Sequence, residues 1–395
     1  MKASDEDRWR PPGPIRVRPR DPARSAEDLA SLYTRGAVRL AASIAARPET
    51  AAEVTGRPNR IAVISDGSAL PGVGDVGPAA ALPLLEAKAA LYADIADIDA
   101  VPICVSTGDV PSTDGLVATI RAVAPTFGAI DLTGFAAPGC RDLERRLRIA
   151  LDVPVFHDEQ HATPVVVLAA LRNALRVAGK DLRTARIVVL GTGVTGDAVT
   201  RLLLYAGARD VTVCTGQAIV GPDAGALPEH AAWLTGRTNP RRLHGGPAQA
   251  VAGADAVLVL DTDGPVDRRL VDTMRAPPVV FALAGPPPTT GPTAVTASCH
   301  PDHPNQLTGL LAFPGIVRGL LNARAPRITT TMLLAAADVL AGWVGEGILG
   351  PHRLLPDLFD PRLVSTVAAA VAAVEASRRR AQHAEPTDPP PGQRN

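Results

Sequence analysis

A β-branched run, RIVVL at 186–190, leads straight into Gly191-Thr192-Gly193-Val194-Thr195-Gly196, then into a stretch of helical periodicity to 206, then into DVTVC at 210–214. Strand, glycine turn, helix and second strand in that order define a parallel βαβ unit, because parallel strands need a crossover of about a dozen residues. Gly191 permits the tight turn, Gly193 lets the backbone approach a pyrophosphate, and Gly196 lets helix and strand pack closely. The unpaired N–H groups at the helix start then face the phosphates. The pattern predicts that Gly191, Thr192, Gly193, Val194, Thr195 and Gly196, with Thr215 at the end of the second strand, hold NAD or NADP. An acid usually ends that strand to hold the ribose 2′-hydroxyl, and here Thr215-Gly216-Gln217 stands in its place. Arg209 before the strand and Arg237 farther on are candidate partners for a 2′-phosphate, so NAD versus NADP stays open.

Short apolar runs alternate with longer amphipathic stretches through most of the 395 residues. IAVIS (61–65), VPICVS (101–106), DAVLVL (255–260) and PPVVFALA (277–284) read as buried strands. Residues 78–94, 115–124, 141–151, 330–341 and 361–377 read as helices, as does a segment from 164 to 177, where Pro164 suits a first turn. The fold class is therefore α/β in two domains, an N-terminal α/β domain at 29–160 and a Rossmann-like dinucleotide-binding domain at 161–345. A C-terminal helical segment follows at 346–377, with Pro/Arg-rich flexible arms at 1–28 and 378–395.

Forty basic and forty acidic residues leave no net charge, which argues against a nucleic-acid or acidic-membrane partner. The chain lacks an apolar run of membrane-spanning length, and its charged, proline-rich start lacks a signal peptide's apolar segment, so a cytoplasmic protein is expected. Cys104, Cys140, Cys214 and Cys299 follow no metal or disulfide spacing and read as reduced thiols. His157 and His161 have ligand-like spacing but sit between Pro154 and Pro164 in what reads as a strand-to-helix loop. Cys299-His300-Pro301-Asp302-His303 reads as a loop without metal.

Only three of the forty basic residues are lysines: Lys2, Lys88 and Lys180. Where arginine is the default, a lysine in the helical phrase LLEAKAALY marks a position that needs a removable proton, which an arginine cannot supply.

Several phrases together resemble the bacterial malic enzymes. They are SLYTRGAV (31–38), AVISDGSALPGVGDVGPAAALPLLEAKAALY (62–92), DIDAVPICVSTGD (97–109), APTFGAIDL (124–132), DVPVFHDEQHATPVVVLAALRNAL (152–175), VVLGTGVTG (188–196), PVVFALAGP (278–286) and PNQLTGLLAFPGIVRGLLNARA (304–325). The resemblance implies a cytosolic, dimeric enzyme that oxidises malate with NAD(P) and a divalent metal and decarboxylates it to pyruvate. It places the proton-donor tyrosine on Tyr33, the proton-accepting lysine on Lys88 and the first aspartate of an FHDD motif on Asp158. It places the metal ligands on Thr133, Gly134 and Glu159, so two of three carboxylates are replaced and a tuned Mg or Mn site is not expected. Without that Lewis acid, decarboxylation slows by roughly three to five decades. Substrate positions fall on Arg35, which suits a carboxylate, and on Gly285, Thr308 and Gly309, where the family carries asparagines at the last three.

The expected function is oxidation of malate or a related small 2-hydroxy acid, with Lys88 taking the hydroxyl proton and Tyr33 protonating carbon. Two alternatives remain: an impaired homologue acting as a binding or scaffolding partner, and a metal-free lyase or tautomerase acting on a keto acid.

Overall fold

The computed structural model describes residues 13–106, 112–221, 229–260, 267–283 and 290–384. The chain forms two compact units that meet in sequence between Val155 and Phe156. Gly285, residues 1–12 of the expected N-terminal arm and 385–395 of the expected C-terminal one lie outside the described residues.

In the first unit the helix α1 (Gly36–Ala46) precedes β1 (Arg60–Ser65), α2 (Gly77–Ala96), β2 (Asp99–Cys104), α3 (Thr113–Val123), β3 (Ala129–Leu132) and α4 (Gly139–Ala150). The sheet order is β2-β1-β3-β4, with β1 parallel to both neighbours and β4 (Val155–His157) starting at the unit's last residue. Ile61 to Ile64 are wholly buried, as a parallel strand covered on both faces requires, and Ile61, Val63 and Ile64 each contribute about 1.5–3 kcal/mol. On α2, Ala81, Leu85, Lys88, Ala89, Tyr92 and Ala96 recur at helical spacing and form the buried face. A lysine on that face is the first sign of a special environment.

The second unit opens on α5 (Asp158–Val177) and continues through β5 (Arg186–Leu190), α6 (Val194–Tyr205), β6 (Asp210–Cys214), β7 (Ala256–Val259), β8 (Val279–Ala282), β9 (Val295–Ser298), α7 (Phe313–Ala323), α8 (Thr330–Trp343) and α9 (Leu363–Ala384). Its five parallel strands run in the order β6-β5-β7-β8-β9. The order reverses between β5 and β7, so the crevice beyond their C-terminal ends is where such a sheet binds ligands, and the glycine turn follows β5.

Two helix boundaries differ from expectation. Residues 155–157 form a strand and the helix starts at Asp158, so Pro164 lies inside α5 rather than in its first turn. The extra turn is favoured by Asp158 and Glu159 at the positive end of the helix dipole, and the His161 Nδ1 accepts from the His157 N–H at 3.0 Å. At the other end α9 runs through the arginine run to Ala384 rather than stopping at 377. There the buried Glu375 pairs with Arg378 and Arg379, three and four residues on, and Arg379 also donates to the Arg324 carbonyl. Helix α9 packs on α7 where Gly315 and Gly319 stand one turn apart. A β-carbon at 315 lies 2.6 Å from Val367 Cβ, and one at 319 lies 2.6 Å from the Ala368 carbonyl, so only glycine admits this approach.

Candidate active site

Lys88 and Tyr92 lie one turn apart on the buried face of α2 and reach toward the C-terminal end of β3. Lys88 is 6% exposed and Asp131 is 1% exposed. The Lys88 ammonium approaches Asp131 Oδ2 at 2.8 Å and donates to Oδ1 at 3.0 Å and to Thr133 Oγ1 at 2.9 Å. Thr133 in turn donates to Asp131 Oδ1 at 3.2 Å, and the Tyr92 hydroxyl donates to Oδ2 at 2.8 Å. Lys88, Thr133 and Asp131 thus form a closed hydrogen-bonded ring, with Tyr92 bonded to the same carboxylate. The hydrogen bonds offset part of the cost of burying these polar groups.

Thr133 extends the β3 edge by donating its N–H to the Ile64 carbonyl at 2.9 Å. Gly134 follows in the left-handed region at φ +67°, and a β-carbon there lies 3.3 Å from both Ser65 Oγ and Leu70 Cδ1. The turn is thus built for a small residue, with a neutral hydroxyl and a glycine where the resemblance implies two acids. Among the described residues no group of three or more His, Cys, Asp or Glu is arranged to hold a metal ion.

Tyr33 and Arg35 lie on the exposed N-terminal segment of the first unit. Tyr33 is 72% exposed in a helical turn at 30–34, makes no side-chain hydrogen bond among the described residues, and is followed by the exposed Arg35. The tyrosine beside Lys88 is Tyr92. Sequence reasoning missed both Tyr92 and Asp131. The available signals were the four-residue spacing of Lys88 and Tyr92 and one acid in the otherwise apolar strand AIDL.

In the second unit Gly191 adopts φ +127°, and Gly193 precedes α6 without a side-chain cap. The positive helix end therefore faces the β5 turn, an arrangement suited to a pyrophosphate. Asp197 lies wholly buried on α6, accepts from Arg201 Nε at 2.8 Å and from the Trp233 indole N–H, and Arg201 stacks over Trp233 at 3.9 Å. Thr215 uses its hydroxyl on its own turn, accepting from the Ala218 N–H at 3.0 Å. Arg209 precedes β6, at the opposite end of the strand from Thr215, and the Asn239 N–H after Arg237 bonds the Val211 carbonyl near that same opposite end.

Asp158 and the exposed Glu159 open α5. His157 and His161 are joined by the capping bond rather than lying in a loop. Thr308 caps a short turn at 309–311 by accepting from the Leu310 N–H at 3.3 Å, and a β-carbon at Gly309 makes ordinary contact with Ala162 at 3.5 Å. Lys180 has a structural explanation: it donates to the Arg275 and Pro277 carbonyls at 2.9 and 2.7 Å and pairs with Asp255 at 3.2 Å. Burial pushes the Cys214 thiol up to about 12, which makes it inert. No helix among the described residues is long and apolar enough to cross a membrane.

A Rossmann-type unit with a glycine turn at its switch point, preceded by an α/β unit with a buried lysine, defines a two-domain dinucleotide-linked oxidoreductase class. Residues 43–148 match the malic enzyme N-terminal domain, and 288–376 match the malic enzyme NAD-binding domain. The chain is 39% identical over 375 residues to the NAD-dependent malic enzyme of Geobacillus stearothermophilus, covering 93% of this chain and 77% of that protein. It is 36% identical over 357 residues to the bifunctional malic/malolactic enzyme of Bacillus subtilis, covering 88% and 86%. The solved NAD-dependent malic enzyme of Thermotoga maritima superposes with a TM-score of 0.85 at 36% identity, covering 91% of this chain and 96% of that one. The chain belongs to the malic enzyme family.

Proposed function

We propose that the protein oxidises malate or a related small 2-hydroxy acid with NAD or NADP and releases the keto acid largely without metal-assisted decarboxylation. The observation that carries this reading is the family's lysine held in a buried polar ring beside two former acid positions that are now Thr133 and Gly134. The glycine turn and the start of α6 fit a dinucleotide, with Gly191 to Gly196 on the pyrophosphate and Thr215 near the adenosine ribose. When bound, its nicotinamide accepts a hydride.

Lys88 exchanges the substrate's hydroxyl proton at Nζ, taking it in oxidation and returning it in reduction. Asp158 assists at the start of α5, Arg35 binds a substrate carboxylate, with Gly285, Thr308 and Gly309 lining the substrate, and Tyr33 protonates carbon only in those turnovers in which the keto acid loses CO2 and leaves an enol. The residues do not fit a tuned divalent cation. Thr133 is neutral, Gly134 offers no side chain, Asp131 already accepts from Lys88, Thr133 and Tyr92, and Glu159 is left as a weak ligand. The exposed Leu29, Leu32 and Val38 around Tyr33 support a homodimer, which light scattering reads directly.

Calorimetry with NAD and NADP, followed by turnover with a panel of 2-hydroxy acids, tests the reading. Binding of a dinucleotide and its reduction by at least one of the acids is expected. Absence of dinucleotide binding at millimolar concentration refutes it and leaves a scaffolding role or cofactor-free lyase chemistry.

A further inference from the structure

We infer that Asp131 is the positioning residue for Lys88, acting with Thr133 and Tyr92 to fix where the lysine nitrogen sits. The inference rests on the role given to Lys88 above. A lysine ends in a compact charge on a flexible four-carbon stem, so its nitrogen has no fixed place unless its partners supply one. Two elements supply the partners named above. Tyr92 stands one turn from Lys88 on α2, while Asp131 and Thr133 lie at the C-terminal end of β3 and just beyond it. Both carboxylate oxygens are engaged twice, Oδ1 by Lys88 and Thr133 and Oδ2 by Lys88 and Tyr92. Thr133 accepts from the lysine and donates to the carboxylate, which closes the ring in one sense of hydrogen bonding.

Stability does not account for this arrangement. A buried ion pair is often no better for stability than apolar side chains of the same volume, and the rest of β3 is apolar. Placement does account for it, since a misplacement of about 1 Å in a reacting group costs on the order of a hundredfold in rate.

The chain's three lysines make the test direct. Acylation of the full-length protein with an amine-reactive reagent, read peptide by peptide, reports Lys88 against Lys180 as an internal standard. Lys180 is held by Arg275, Pro277 and Asp255 in the other unit. Asp131→Asn keeps the shape and removes the charge. It is expected to raise the Lys88:Lys180 labelling ratio about tenfold or more and to lower kcat about tenfold or more with the dinucleotide KM unchanged. Tyr92→Phe moves both readouts the same way by less, and Asp131→Glu restores part of each. A labelling ratio and kcat that both stay within about twofold of the parent in folded Asp131→Asn overturn the inference. If that variant does not fold, Tyr92→Phe decides, and unchanged Lys88 labelling there overturns it equally. If labelling shifts while even the parent turns over no 2-hydroxy acid, Asp131 still holds Lys88 and the oxidoreductase reading fails instead.

Discussion

Glu144 gives the first unit a pH-dependent weakness that can be calculated in advance. The side chain lies on the buried face of α4, 5% exposed, and its nearest cation is Arg148 Nε at 3.5 Å on a half-exposed side chain. Loss of hydration outweighs the attraction of Arg148 and Arg141, and burial pushes its carboxyl from the usual 4.5 up to about 7. Between those values the folded protein holds a proton that the unfolded chain releases, so stability falls as pH rises from 4.5 to 7 and levels off above. Each unit of difference corresponds to about 1.36 kcal/mol, which sets a ceiling of about 3 kcal/mol on the loss. Glu144→Gln keeps the shape and cannot ionise. Urea unfolding of both proteins between pH 4.5 and pH 8 should show the variant gaining on the parent by up to about 3 kcal/mol as pH rises. A difference that does not change with pH, or a parent that gains on the variant, refutes the reasoning and means that the Arg148 pair outweighs desolvation.

Further perturbations follow from the same packing. Gly319→Ala places a methyl group 2.6 Å from the Ala368 carbonyl and should cost about 1–3 kcal/mol, measured as a lowered denaturant midpoint. The buried Thr212 hydroxyl finds no hydrogen-bond partner among the described residues, so Thr212→Val should be neutral or stabilising by about 1 kcal/mol in the same assay. Gly191→Ala forces a side chain into φ +127° at the turn; a strain of about 1–3 kcal/mol should weaken dinucleotide binding about tenfold or more by calorimetry.

Periodicity and turn chemistry made most of the fold legible. RIVVL, the glycine turn and DVTVC became β5, the start of α6 and β6, and the helix read at 78–94 became Gly77–Ala96. Where the reading fell short, a non-local or side-chain contact decided the outcome. Pro164 looked like a helix start because its missing N–H is harmless there, but a histidine cap and two acids extend the helix six residues upstream. The arginine run at 378–380 looked like a solvated tail because the buried Glu375 partner was not visible from composition. Within the site, the scarcity of lysine singled out Lys88. Asp131 lies 43 residues from Lys88 in sequence and meets the lysine only after β3 aligns beside β1, so no local pattern marks it. The Tyr92 hydroxyl's bond to Asp131 is a further contact, separate from the role the resemblance places on Tyr33, and only packing reveals it.

We propose a malic enzyme family oxidoreductase whose lysine is anchored by an internal carboxylate rather than set beside a divalent cation. The measurement that addresses it most directly follows NAD(P)H together with the carbon products from malate and related 2-hydroxy acids, first in excess chelator and then with added Mn²⁺. Cofactor reduction is expected to be unchanged by either addition, with the undecarboxylated keto acid accumulating ahead of any decarboxylated product. Strict dependence on Mn²⁺, with pyruvate formed from malate in step with NAD(P)H, would contradict it.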